Sequence, residues 1–435
     1  MLKQLKAVAL CGVLALTSFG ADLYVSKETG SNKAAGTKEA PLKNLWKAVD
    51  MAEDGDVIHV AAGNYNGQMN KGWIEVTKAI SIIGGYSSDF SERNPVVHQT
   101  MMRPSNKMSA TKPPMDKGLL AIIPKHPGPD NKILIDGLIF DHTDSNSYHG
   151  TKGKPEGFKE GMLTIAPAKG TKPLITIDSY MIKAITEGEL TIQNCLFLNS
   201  SNIALNVQHG MGKVRILNNV FVGCRIISAD VRCGSPKPQA LDYEFAYNTV
   251  LFTWTRTSDF QDMGYGVRSN ANTISNIHHN VLGLNCMAGW DNSKGADKTK
   301  KVSVDNNIFF LNKKGDVTRT VSPSVQFLRV DEDGFEDIAD AEGMESVEGN
   351  VSLTDPAVFK GILDMEFVNA FLAATYTEET DYDENSPMNN FRAALGLNKQ
   401  GTITSKVTMW ANPYPFDSAI KLFGAIQDCG AQAIK

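Results

Sequence analysis

The chain has 435 residues, of which 42% are apolar and 21% charged, and a formal net charge of -5. This balance suits an ordinary globular fold and excludes a disordered polyelectrolyte. An acidic chain is also a poor partner for nucleic acid or an anionic membrane, and beyond residue 20 no apolar run approaches the roughly 18 residues of a membrane span.

In chain order, Lys3 and Lys6 precede an apolar run from Ala7 to Leu16, and then come Ser18 and Gly20. The pattern predicts a secretory signal over residues 1–20 and a secreted chain: extracellular, on the cell surface or in the periplasm. Its removal takes two lysines and no acids, moving the charge from -5 to about -7. Five cysteines then remain. Cys195, Cys224 and Cys286 read as small buried residues, and Cys224 and Cys233 flank one strand too far apart to bond.

Residues 21–75 are expected to form an N-terminal cap and first coil. Pro41 at a helix start, with Leu42, Leu45, Trp46 and Val49 on one side, predicts a short amphipathic helix that caps the open end of a strand stack. Residues 76–355 are expected to form the stack, and between Leu190 and Asn312 one phrase returns: Asn194-Cys195-Leu196-Phe197, Asn218-Asn219-Val220-Phe221, Tyr247-Asn248-Thr249-Val250, His279-Asn280-Val281-Leu282 and Asn306-Asn307-Ile308-Phe309. Each copy follows an alternating segment such as Val214-Arg215-Ile216, the period-two mark of a half-buried strand. Recurrence every roughly 24 to 32 residues predicts a solenoid whose rungs must stack to bury a core. The column Asn219, Asn248, Asn280 and Asn307 predicts corners where a left-handed backbone is tolerated and amides bond to amides one coil away. Gly137 and Asn350 extend it.

The fold class expected is therefore all-β, a single-stranded right-handed parallel β-helix with an N-terminal helical cap. Loop insertions fall near 100–130 and 144–160, and residues 356–435 form a less regular segment packed on the helix. One domain and a monomer are expected.

The opening runs Tyr24-Val25-Ser26, Gly36-Thr37, Pro41-Leu42, Ala48-Val49, Gly55-Asp56-Val57-Ile58 and Gly63-Asn64-Tyr65. With Ile82-Ile83-Gly84-Gly85-Tyr86 and Ala394-Leu395-Gly396 further on, it resembles secreted bacterial right-handed parallel β-helix proteins of the pectate-lyase-like superfamily, in a subgroup of undefined function. The resemblance spans nearly the whole mature chain. It implies the fold and little chemistry, because that superfamily mixes lyases, hydrolases, esterases and non-catalytic surface proteins.

The resemblance implies that any chemistry sits on the sheet formed by the strand after each repeated phrase, aligned here at 203–209, 226–232, 264–269, 286–292 and 325–331. With Leu205, Val207, Ala229, Val231, Val267 and Trp290 inward, alternation turns Asn206, Gln208, Asp230, Arg232, Arg268, Asp291, Arg329 and Asp331 outward. Arginines among aspartates are what a lyase acting on an acidic glycan needs, since the enediolate charge must be neutralised by Ca²⁺ or another cation. The resemblance implies that an arginine can serve as base. Arg232 and Arg268 are then the catalytic candidates, Asn206, Gln208, Asp230, Asp291, Arg329 and Trp254 the substrate-binding ones, and Asp230, Asp291 and Asp331 the ligands for Ca²⁺. The competing reading is an inter-coil ion-pair ladder of little energetic consequence.

Carboxylate pairs at Asp259 and Asp262, and at Asp291 and Asp297, would serve a hydrolase, but the hydrolase signatures of the superfamily are missing and Gln208-His209-Gly210 is the nearest fragment. His278 and His279, adjacent on a strand, are expected to point to opposite faces, which disfavours a metal pair. Two functions stand: binding and lytic processing of an extracellular acidic polysaccharide, or a non-catalytic adhesion or scaffold protein.

Overall fold

The structure is a computed structural model. It describes residues 20–434 apart from 69–70, 105–116, 144–178, 235–239, 255–263, 293–300, 322–323, 332–333, 354–358, 374–383, 386, 395, 397 and 400–412. Residues 1–19 of the signal segment, residues 105–116 within the first predicted insertion, the whole of the second, and Asp259, Asp262 and Asp297 lie outside the described residues.

The strands run parallel in successive rungs, as the repeat predicted, and they form three faces. Face one carries Asp22–Val25, Val57–Ala61, Ser81–Tyr86, Lys132–Asp136, Leu241–Ala246, Thr273–His278 and Lys301–Asp305. Face two is a ladder of short strands from Gly63–Asn64 to Val351–Ser352, passing through the repeated phrases. Face three carries Ile227–Cys233, Tyr265–Arg268, Ala288–Asp291 and Gly315–Val321. Two long strands, Ile182–Gln193 and Leu205–Leu217, bend from face three to face one, so both faces belong to one sheet.

Alternation turns every second strand residue inward, and one of the resulting columns is aromatic. Phe140, Phe197, Phe221 and Phe245 form a buried stack with ring centres 5.1, 4.7 and 6.1 Å apart. On the outside of face two, Leu196, Leu198, Val220, Val222 and Leu251 are buried under a second apolar layer that includes Phe359, Phe367, Phe371 and Tyr414. The C-terminal residues continue this covering: Gly430 N donates to His279 O at 2.8 Å, and Gln432 N to Asn218 Oδ1 at 2.6 Å.

The corner between faces one and two rests on two residues, where the sequence reading gave both tasks to one. Asn194, Asn218, Tyr247, His279 and Asn306 take the left-handed backbone, with φ between 53° and 55°. The residue after each does not share that positive φ and is buried. There Asn219, Asn248, Asn280, Asn307 and Asn350 each accept from the amide of the rung below; Asn248 Nδ2, for example, donates to Asn280 Oδ1 at 3.2 Å. Gly137 (φ 70°) extends the left-handed column, and Asn350 the amide ladder. A second ladder runs through Thr253, Asn285 and Asn312.

The helix Leu45–Met51 buries Leu45, Ala48 and Val49 beside the first strands. The outer edge of the first strand is satisfied by a loop: Tyr24 N donates to Gly36 O, Leu42 N to Tyr24 O and Ser26 N to Leu42 O, each at 2.8 Å. At the far end of face three, Ser324–Leu328 folds back antiparallel on Gly315–Val321 and covers that edge, which would otherwise template association.

Candidate functional site

Face three brings the predicted residues into register. Asn206 pairs with Asp230 and Gln208 with Arg232; Asp230 pairs with Arg268, and Arg268 with Asp291. Leu205, Val207, Ala229, Val231, Val267 and Trp290 belong to the core, so the alternation was read correctly. The column starts one rung earlier, at Lys183 beside Asn206. It ends on Thr318, which follows the Val317 that pairs with Trp290.

The fifth predicted strand needs correction. The rung stacked on Ala288–Asp291 is Gly315–Val321, while Ser324–Leu328 is its antiparallel partner. Arg329 and Asp331 lie beyond that partner and outside the column. Arg329 Nη2 donates to Asn312 O at 3.1 Å. Asp331 lines a cavity of about 590 Å³ with Val330, Glu336 and Asn350 at the end of the amide ladder. Trp254 is also displaced from its expected role. It is 5% exposed, its indole N–H donates to Gly223 O at 2.9 Å, and its ring lies 6.0 Å from Arg225, so it packs a corner instead of offering a platform to sugar.

The column is wet at one end and enclosed along the rest. Asp230 and Asp291 are 0% exposed and Arg268 4%, whereas Gln208 is exposed and the Arg232 side chain is 56% accessible. A carboxylate withdrawn from water costs several kcal/mol unless it is paired and hydrogen-bonded, and each aspartate has both kinds of partner. Arg232 Nη2 lies 2.5 Å from Asp230 Oδ2, and Asn270 Nδ2 donates to Asp230 Oδ1 at 2.9 Å. Arg268 Nε lies 2.5 Å from Asp291 Oδ2, and Thr318 Oγ1 donates to Asp291 Oδ1 at 3.0 Å. Lys183 Nζ donates to Asn206 Oδ1 at 2.5 Å and stands 5.6 Å from the Tyr180 ring.

These contacts bear on both roles expected of the column. The hydrogen bond and charge of Asp230 push the Arg232 guanidinium above its ordinary pKa, the opposite of what a general base requires. A Ca²⁺ site does not fit the aspartates: all four oxygens of Asp230 and Asp291 already accept hydrogen bonds. Their strands lie two rungs apart, about 10 Å, and Asp331 is elsewhere. Among the described residues no group of three or more His, Cys, Asp or Glu is disposed to hold a metal.

Elsewhere, His278 and His279 do not diverge as an extended strand would require. His279 takes the left-handed corner, which brings Nδ1 of the two rings to 3.0 Å and lays His279 against Tyr247 with centres 5.0 Å apart. Face one, not face three, carries the exposed ion-pair ladder: Glu189, Lys213 and Asp242 are neighbours in register, as are Arg215 and Glu244.

Comparison with known proteins adds a family. Residues 28–109 match one described as a protein of unknown function, DUF1565. A stretch of 74 residues is 39% identical to the pectate lyase PEL9 of Emericella nidulans, covering 17% of either chain. Both matches cover less than a fifth of the chain, which is similar to these proteins over that stretch. Among solved structures this β-helix resembles pectate lyase Pel9A, at 14% identity and TM-score 0.40 over 96% of this chain and 97% of the other. It also resembles a rhamnogalacturonan lyase, at 10% identity and TM-score 0.38 over 78% and 90%. Among the described residues no helix is long and apolar enough to cross a membrane.

Proposed function

We propose that this protein is secreted and binds an acidic polysaccharide along face three, with Lys183 and Arg232 as cationic anchors and Gln208 between them. The observation that carries this reading is the register: Lys183, Asn206 and Asp230 stand on three consecutive rungs, and Gln208 and Arg232 on two of the same rungs. Successive rungs are about 4.8 Å apart, so an extended chain lying along the stack meets a cation, an amide and a second cation in turn. An overall acidic protein that keeps two cations on one wet stripe has a reason to favour anions there. The pectate lyase that shares the matched stretch takes its name from an acidic polymer of the same class.

Binding fits this geometry better than cleavage. Arg268 is enclosed against Asp291, and Arg232 holds its proton tightly beside Asp230. Neither is placed to abstract a proton, and the groups that would neutralise an enediolate are already neutralising each other.

The test is calorimetric titration with polygalacturonate, alginate and hyaluronan, with and without Ca²⁺, alongside ultraviolet detection of unsaturated ends. The proposal expects salt-sensitive binding of at least one polymer that weakens in Lys183→Ala and Arg232→Ala, with no unsaturated product. Absence of binding to all three, or binding untouched by both substitutions, would overturn it.

A further inference from the structure

Outside face three, the first rungs of face one carry an aromatic cluster on the solvent side of the sheet, where a β-helix usually places polar residues. Tyr24 stacks on His59 with ring centres 4.9 Å apart at 19°, and His59 meets Tyr86 edge-on at 5.3 Å. All three are half-buried. A hydrogen-bonded line fixes their polar atoms: His59 Nε2 lies 2.9 Å from Asp22 Oδ1, and His59 Nδ1 lies 3.0 Å from the Tyr86 hydroxyl.

Phe90 closes one side. Its ring packs edge-on to Tyr24 at 5.0 Å, and its backbone sits at φ 60°, a conformation that strains a bulky aromatic residue and points to a function when it is held. The holding is visible: Asp89 Oδ1 accepts from Ser87 Oγ at 2.6 Å, Ser91 Oγ at 2.8 Å and Ser91 N at 3.1 Å. On the other side Arg93 stands 5.8 Å from the Tyr86 ring and is paired with Asp136 at 2.5 Å.

We infer that this cluster is a second carbohydrate subsite, one that takes a neutral sugar segment. Aromatic surfaces set beside fixed hydrogen-bonding groups suit a pyranose ring, whose C–H face is apolar and whose rim of hydroxyls is polar. The local charge selects the uncharged class. Asp22 is 59% accessible, Asp89 and Glu92 are exposed, and the one guanidinium is offset by Asp136. A uronate would therefore meet net negative charge here, whereas a neutral hexose gives its hydroxyl protons to Asp22 and its face to the rings. This inference does not depend on the acidic-glycan reading of face three, and the two sites use no common residue.

The test titrates the full-length protein with cellohexaose, mannohexaose, xylohexaose and hexagalacturonate, using saturation-transfer NMR and calorimetry. At least one neutral hexasaccharide should bind, with transfer to the aromatic protons. Its affinity should fall about tenfold in Tyr24→Ala, the scale of one lost aromatic contact, and measurably in Asp22→Ala, which removes both the acceptor offered to the sugar and the hydrogen bond to His59 Nε2. Neutral binding should persist in the Lys183→Ala, Arg232→Ala double variant. If no neutral hexasaccharide binds the wild type, or if Asp22→Ala and folded Tyr24→Ala bind as wild type does, the inference fails. Binding of hexagalacturonate alone, abolished by the double variant, would sink this subsite and leave the face-three reading standing.

Discussion

Asn248→Ala removes one link of the corner ladder, and its cost can be worked from the contacts. The Asn248 amide is fully buried. Its Oδ1 accepts from Asn219 N at 2.9 Å and Asn219 Nδ2 at 3.0 Å, while its Nδ2 donates to Ile216 O at 2.8 Å and Asn280 Oδ1 at 3.2 Å. After truncation Asn219 Nδ2 keeps Ile192 O, and Asn280 Oδ1 keeps the Asn248 backbone N–H. The Asn219 N–H loses its acceptor in a dry corner, and Ile216 O loses a donor. At about 1–3 kcal/mol for each buried group left without its bond, Asn248→Ala should cost about 2–6 kcal/mol. Urea unfolding followed by circular dichroism and tryptophan fluorescence measures it, with Asn276→Ala on the exposed side of face one as a control expected within about 0.5 kcal/mol of wild type. If Asn248→Ala unfolds within that same margin, the ladder is not what holds the corners.

Three further outcomes follow from buried groups. Arg268→Ala strips the guanidinium from an enclosed carboxylate and should destabilise by about 3–5 kcal/mol; the Arg268→Ala, Asp291→Ala pair should cost less than the sum of its singles in a double-mutant cycle, and strict additivity would contradict the pairing. Burial pulls His142 down to about 3 from 6.5, so the native state excludes a proton that the unfolded chain binds. That contribution is intact above the unfolded value and is lost as pH falls from about 6.5 toward 3, reaching about 3 kcal/mol by pH 4. His142→Gln should therefore flatten the acid limb of the urea midpoint against pH, and an unchanged limb would contradict the assignment. Burial also pushes the Cys224 thiol up to about 12 and Cys429 to about 11, and Cys195 higher still. Of the described cysteines, half-exposed Cys233 should react first with a thiol reagent in the native state; fast native labelling of Cys195 or Cys224 would count against the packing.

The rungs were legible in the sequence because each must present an apolar residue inward at every second position, and four of five face-three strands were placed correctly on that basis. The fifth was not, since Gly315–Val321 and Ser324–Leu328 form a hairpin and both alternate; periodicity cannot say which member stacks on Ala288–Asp291. Lys183 was missed although Ile182-Lys183-Ala184 alternates like its neighbours, because the repeated phrase that marked each coil begins only at Asn194. The enclosure of Asp230 and Asp291 could not be read at all. Period two tells which side of a sheet a residue faces, not whether that side is wet. The left-handed corner escaped for a related reason: Asn is tolerated in both positions of the Asn-Asn pair, and only the coils reading Tyr247-Asn248 and His279-Asn280 separate the two tasks.

The most direct test of acidic-glycan binding on face three is a polygalacturonate titration of wild type and the Lys183→Ala, Arg232→Ala double variant at two salt concentrations. The wild type should bind, more weakly at high salt, and the double variant should lose at least tenfold in affinity and most of the salt dependence while remaining folded, with a urea midpoint lowered by the loss of the Arg232 partner from buried Asp230. Equal affinity in the two proteins, or binding indifferent to salt, would contradict it.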